Sequence, residues 1–327
     1  MSVPELQVER LHGFRRVVAD MDFLESIIFS PLVRRNEDDR FLNQLVNQIV
    51  QETNYPLIPP TVSALSQNYF HIYTNLRLMF VPPVESDFIL HLPDLYHELA
   101  HSLVSEQHNP SVQPFQLSLV QALSYAEAYV QDEITKEKAK PRSPESLQFY
   151  LYLWSQSWTE WMIEFFCDIF AVCTLGSAFA WSHYHLAAKT GGNPFVVPTI
   201  VKMTHPPDHA RMVVILKLLD LLNLSAEGQH IREAWNEYLS ISDMNPTPEY
   251  KRCFPDELLA TIAIRGYEGV YACGFKLADD EQAPIKALLN EAWTIFWDNP
   301  QAYPTWEKQA VGKLRQAMGK TTQLQIN

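Results

Sequence analysis

His97-Glu98-Leu99-Ala100-His101 sets two imidazoles four residues apart, with a carboxylate beside the first. On a helix, residues i and i+4 share a face, so both rings can bind one metal ion. Glu98 lies about 100° round the helix from His97, where it can take a proton from a water on that ion. Zinc lowers the pKa of such a water to about 7, and a carboxylate base completes a hydrolytic centre. The chemistry indicated is metal-assisted hydrolysis. A catalytic zinc also needs a third protein ligand and one open position.

A third histidine at HExxHxxGxxH spacing is excluded, because the glycine position holds Val104 and the last position holds Gln107. His108 comes one residue late, and seven residues past His101 is about 10 Å along a helix. A carboxylate from a second helix is the other solution, and Glu164 and Asp168 stand four apart in Trp161-Met162-Ile163-Glu164-Phe165-Phe166-Cys167-Asp168. Two carboxylates in such apolar company are costly to bury unless something pairs with them. A metal for Glu164, and the distal N–H of a ligating histidine for Asp168, would remove that cost. Glu160, one turn earlier, is the rival ligand; Glu164 is preferred for its more apolar surroundings and the Asp that follows.

HExxH, then ExxxD after a gap of 63 residues (101 to 164), then Thr204-His205-Pro206-Pro207-Asp208-His209-Ala210-Arg211, resembles the gluzincin peptidases related to the CAAX prenyl protease and heat-shock membrane protease family. The resemblance covers residues 70–222. It implies zinc on His97, His101 and Glu164, with Asp168 orienting a zinc-bound histidine. It also implies that His205 and Arg211 face the substrate and the developing oxyanion. Members of that family are usually anchored by transmembrane helices, and no such span is expected here. The most apolar stretch, residues 165–181, contains Asp168 and follows Glu164 directly, so it reads as a buried active-site helix.

The positioning elements follow from periodicity. Helices are predicted over residues 5–32 and 37–53, followed by a proline-rich break at Pro56, Pro59 and Pro60. Leu76, Leu78 and Phe80 alternate in a strand over 76–81, ended by Pro82 and Pro83. Its free edge, Leu78 to Phe80, is expected to bind an extended peptide above the metal. The HExxH helix starts at Pro93 and runs to about 106, and a long amphipathic helix covers 114–138. After a charged turn over 136–144, Ser143-Pro144-Glu145 starts a helix that continues through Glu164 to about 189. A helix follows His205-Pro206-Pro207 to about 222, and others lie near 226–240, 255–270, 281–297 and 304–319. The fold expected is mainly α with a small β-sheet: a zincin-like catalytic core over 61–225, an N-terminal helical segment over 1–60, and a C-terminal helical region over 226–327 packed as one unit with the core.

Composition limits the rest. At 327 residues, 47% hydrophobic and 19% charged, the chain can bury a sizeable core, and ten glycines argue against a many-turned β architecture. A net charge of −13 without a basic patch speaks against a nucleic-acid partner. Cys167, Cys173, Cys253 and Cys273 lack CxxC spacing and read as buried thiols of a reducing compartment. With no secretory leader visible, the cytoplasm is the expected location. His183 and His185 point about 200° apart on a helix and do not suggest a shared metal. Tyr150, Trp154, Trp158 and Trp161 recur at helical spacing and read as core. The leading expectation is a zinc endopeptidase acting on a protein or peptide substrate. Its alternatives are a regulatory or scaffolding module that keeps a zinc site, and a hydrolase of a non-peptide amide.

Overall fold

The computed structural model describes residues 3–33, 36–66, 69–140, 145–279 and 283–325. They form thirteen α-helices and one three-stranded sheet, so the chain is mainly α with a small β-sheet. Among the described residues no helix is long and apolar enough to cross a membrane.

The centre is a layer of long helices. α4 (Asp94–Ser105), α5 (Gln113–Lys138) and α6 (Glu145–Leu175) pack on one another, and α8 (Asp208–Leu221) and α11 (Asp256–Ala272) close the far side of α6. From Trp161 onwards α6 is apolar almost all round because it is covered all round, and Trp161, Phe165, Phe166 and Phe170 are all buried; before that, Trp154 and Trp158 mark its inner face. α11 approaches α6 and α5 closely through two glycines. A Cβ on Gly266 would lie 2.3 Å from Ile169 Cδ1, and one on Gly269 would lie 2.8 Å from Ser118 Cβ. The C-terminal helices therefore share the core with the HExxH region. α12 (Pro284–Asp298) is tied to α3 (Glu37–Glu52) by the Glu52 carboxylate, which accepts the N–H groups of Ile285 and Lys286. A carboxylate at that helix start satisfies otherwise orphaned donors.

Two side chains hold the C-terminal half of α4. Tyr55 Oη donates to the Leu99 carbonyl at 2.8 Å, and Gln116 Nε2 donates to the Leu103 carbonyl at 2.8 Å. The last turn, which has no intrahelical partners for its carbonyls, is thereby closed by a side chain.

Three sequence expectations change. The helix expected to run unbroken to about 189 is two helices. Gly176, at φ +88°, separates α6 from α7 (Ser177–Thr190), a backbone conformation open only to glycine. Ser143 and Pro144, expected to start α6, lie outside the described residues. The first helix is α1 (Val3–Phe23), followed by a π-helical turn over Leu24–Phe29 and the short α2 (Ser30–Val33); its apolar residues face solvent.

The third change concerns the strand. Residues 74–76 form a 3-10 turn and Arg77 sits at φ +51°, so the strand is only β3 (Leu78–Phe80). Two strands of three residues escaped the sequence, being too short to show alternation: β1 (Thr61–Ser63) and β2 (His71–Tyr73). The order is β1-β3-β2, parallel then antiparallel. β3 is therefore central and buried, and Leu78, Met79 and Phe80 have no free edge to offer a peptide. Their apolar run reflects burial on both faces. The sheet edge beside α4 is β2.

Candidate metal centre

α4 and α6 cross so that the inward faces of His97, His101 and Glu164 meet. The two rings are 5.1 Å apart, centroid to centroid, and inclined at 77°. His97 Nε2 is 3.4 Å from Glu164 Oε2, and His101 Nε2 is 3.8 Å from Glu164 Oε1. Two ligands about 2.1 Å from one tetrahedral metal lie about 3.4 Å apart, so these gaps suit a shared cation. Glu164 Oε2 is buried and has no hydrogen-bond partner, an orphaned acceptor whose chemistry suits a cation.

His97 is oriented from behind. Its Nδ1 is 2.8 Å from Asp168 Oδ1, which directs Nε2 towards Glu164. Asp168 is fully buried and also accepts Arg211 Nε at 2.7 Å and Nη2 at 2.6 Å. Arg211 thus ties its guanidinium into the layer behind the histidine, while bordering the cavity. The tie comes from α8, whose start is set by Pro207. Phe179 of α7 lies parallel to the His97 ring, 6.1 Å away, so the turn at Gly176 brings an apolar wall onto this ligand.

The electrostatics favour anions on α6 and a neutral ring on His101. Burial alone would raise the Glu164 carboxyl, but His97, Arg211 and His101 hold it down at about 2. Burial would also raise Asp168, yet the Arg211 charge and its bonds hold it well below the ordinary carboxylate range. Burial, reinforced by the neighbouring His97 charge, lowers His101 to about 4. For the side chains by themselves, burial would lower His97, but the nearby carboxylates of Asp168 and Glu164 outweigh it and raise the ring to about 10. Glu98 is pushed up to about 7, by burial first, with Glu164 and Asp94 adding to it.

A second donor competes with Glu164. Ligand atoms of His97, His101 and Cys167 all lie within 4.8 Å of one another, so this largely buried group could also hold a metal ion. Cys167 was read from sequence only as a buried thiol; one residue before Asp168, it lies on the same side of α6. Glu164 lines the open cavities beside the histidines, whereas Cys167 lines neither, and burial pushes the Cys167 thiol far up. Glu160 lines one of the cavities, 45% exposed, with Lys202 Nζ 3.9 Å away.

Two adjoining cavities, of about 440 and 470 Å³, share Phe70, His71, His97, Glu98, Glu164 and His205 as lining. The edge strand β2 borders both, through His71 in each, with Tyr73 in one and Ile72 in the other. Leu78, Met79 and Phe80 border neither. His205 stands at the mouth, 63% exposed, its Nε2 3.6 Å from Glu164 Oε2. Sequence reasoning missed Tyr69 and Asp94, one turn before Glu98. Tyr69 Oη and Ser182 Oγ both donate to the buried Asp94 carboxyl, which burial raises. His183 instead contacts the Asp208 carbonyl, and His185 Nδ1 lies 3.1 Å from His91 Nε2, so neither reaches the centre. No protein-family model, curated protein or solved structure matches this chain.

Proposed function

We propose that the chain is a zinc-dependent endopeptidase of the gluzincin type, with His97, His101 and Glu164 as metal ligands. The observation that carries this reading is the pair of 3.4 and 3.8 Å gaps between the two Nε2 atoms and Glu164, with Asp168 on the far nitrogen of His97. A zinc ion there would supply a water of lowered pKa and polarise a substrate carbonyl.

The chain's own groups do the rest. Glu98, beside His97 and lining both cavities, takes the proton of the attacking water and returns it to the leaving amine. A carboxyl that burial brings to about 7 suits a group that must both accept and donate. His205, at the cavity mouth, donates to the developing oxyanion. Arg211 acts through Asp168 as a positioning residue, keeping His97 in one orientation. The edge of β2 offers backbone groups to an extended peptide, taking the place that the sequence assigned to β3.

One observation favours a second reading. If Cys167 joins His97, His101 and Glu164, four protein ligands close the site and the metal serves structure. Elemental analysis together with cleavage of a mixed peptide library by wild type, Glu98→Gln, Glu164→Ala and Cys167→Ser separates the two. The endopeptidase reading expects Glu98→Gln to keep zinc and lose nearly all cleavage, Glu164→Ala to lose zinc, and Cys167→Ser to keep it. Undiminished cleavage by Glu98→Gln refutes the mechanism, and loss of zinc in Cys167→Ser but not Glu164→Ala moves the centre to the thiol.

A further inference from the structure

We propose that Asp94 is the carboxylate that recognises a lysine or arginine side chain of the substrate, beside the bond to be cut. The inference rests on the endopeptidase reading of the centre and names the substrate class that it would take. Asp94 is buried, 8% exposed, and lines the cavity of about 440 Å³ that His97, Glu98 and Arg211 also line. It stands one turn before Glu98 on α4, about 5.4 Å along the axis. A residue whose long basic side chain reaches Asp94 therefore lies next to the scissile bond.

Asp94 is the carboxylate of this cavity whose charge is left unmatched. Glu164 faces the two ligand histidines, where a metal ion would take its charge, and Glu98 handles the proton of the water. The Arg211 guanidinium is matched by Asp168, to which it donates two bonds. His205 Nε2 lies 3.6 Å from Glu164, and His71 Nδ1 lies 3.2 Å from the Tyr69 carbonyl. Asp94 accepts two hydroxyls, Tyr69 Oη at 2.5 Å and Ser182 Oγ at 3.3 Å, and no lysine or arginine among the described residues pairs with it. Hydroxyls orient a carboxylate without neutralising it, and a buried charge is costly until a cation pairs with it. An ammonium or guanidinium of the substrate supplies that cation. Tyr69, Phe70 and Tyr73 line the same cavity and offer ring surface to its aliphatic stem. The net charge of −13 draws the same class of substrate.

Two measurements test this, one of them independent of turnover. In a mixed peptide library cut by the zinc-loaded chain, lysine and arginine should dominate at one fixed position beside the cut. Two fluorescein-labelled decapeptides of alanine and glycine, one with a central lysine and one with norleucine there, are then titrated into zinc-loaded Glu98→Gln protein. The lysine peptide should bind about 10- to 100-fold tighter, the worth of one bond to a charged group. Asp94→Asn keeps the shape and can still accept both hydroxyls, so zinc content and near-ultraviolet circular dichroism should hold while the lysine preference disappears. Leu186→Lys tests the charge with Asp94 intact. Leu186 lines the cavity one turn after Ser182 on α7, so an ammonium there would pair with Asp94 and should also remove the preference. Cleavage without a preference for basic residues overturns this proposal and leaves the endopeptidase reading standing. An Asp94→Asn protein with the wild-type preference also overturns it, since a carboxyl that never ionises would behave so. Lysine-selective binding that depends on Asp94, without any cleavage, sinks the endopeptidase reading alone. Equal binding of the two decapeptides without cleavage overturns both.

Discussion

Removing the Arg211 guanidinium should destabilise the protein before it touches any chemistry. Asp168 is fully buried and accepts two bonds from Arg211, at 2.7 and 2.6 Å, besides the contact with His97. Deleting one partner of such a pair leaves an uncompensated charge and costs about 3–5 kcal/mol. The Arg211 side chain is 13% exposed, so screening is slight, but His97 still faces Asp168 at 2.8 Å and offsets part of its charge, so the lower part of that range applies. At about 2 °C per kcal/mol for a chain this size, Arg211→Met should melt about 6–8 °C below wild type. Methionine keeps the packing of the arginine stem, which isolates the charge. Thermal unfolding of metal-stripped protein, followed by circular dichroism at one scan rate, makes the measurement. Adding Asp168→Asn removes the stranded charge, so the double variant should regain part of the loss. Metal affinity should nevertheless remain about 10- to 100-fold weak, because an amide is a poorer partner for His97. An Arg211→Met protein that melts within about 2 °C of wild type, yet loses turnover about 100-fold or more, would refute this reasoning. Arg211 would then serve the oxyanion directly.

Metal binding should be proton-linked. His97 holds a proton up to about pH 10 while His101, at about 4, does not, so one proton must leave as a cation enters. Affinity should therefore rise about tenfold per pH unit between about pH 6 and 9, and calorimetry in buffers of different ionisation enthalpy should count one proton released near pH 7.5. No proton released would show His97 already neutral. Gly176→Ala should lose about 2–3 kcal/mol in urea unfolding, because its φ of +88° suits only glycine. The added Cβ would also press on Ala278 Cβ at 3.3 Å. An unchanged midpoint and slope would show that the α6–α7 turn tolerates a side chain.

The sequence was most legible where chemistry depends on helical spacing alone. His97 and His101 on one face, and Glu164 with Asp168 on another, follow from 3.6 residues per turn, and the structure adds only that the faces meet. Gly191 at the end of α7, and the prolines before β1 and α8, likewise mark boundaries by local backbone rules. The edge strand was illegible for a physical reason. β2 has three residues, all half-buried, so neither alternation nor an apolar run distinguishes it, whereas the buried β3 shows the stronger pattern while offering no edge. α1 misleads in the opposite way, since an amphipathic pattern records that an apolar face needs cover but not that the cover lies within the same chain.

The sequence by itself therefore determined the candidate donors and the helices that carry them, because helical spacing is a local property. Only the tertiary structure decided their partners: Asp168 behind His97, Arg211 behind Asp168, Cys167 close to both histidines, Glu160 beside Lys202, and β2 at the rim. The contacts of α6 depend on which of its faces meets α4 and α8, a crossing set by the packing of Trp and Phe side chains and by glycines that let helices from distant parts of the chain approach closely.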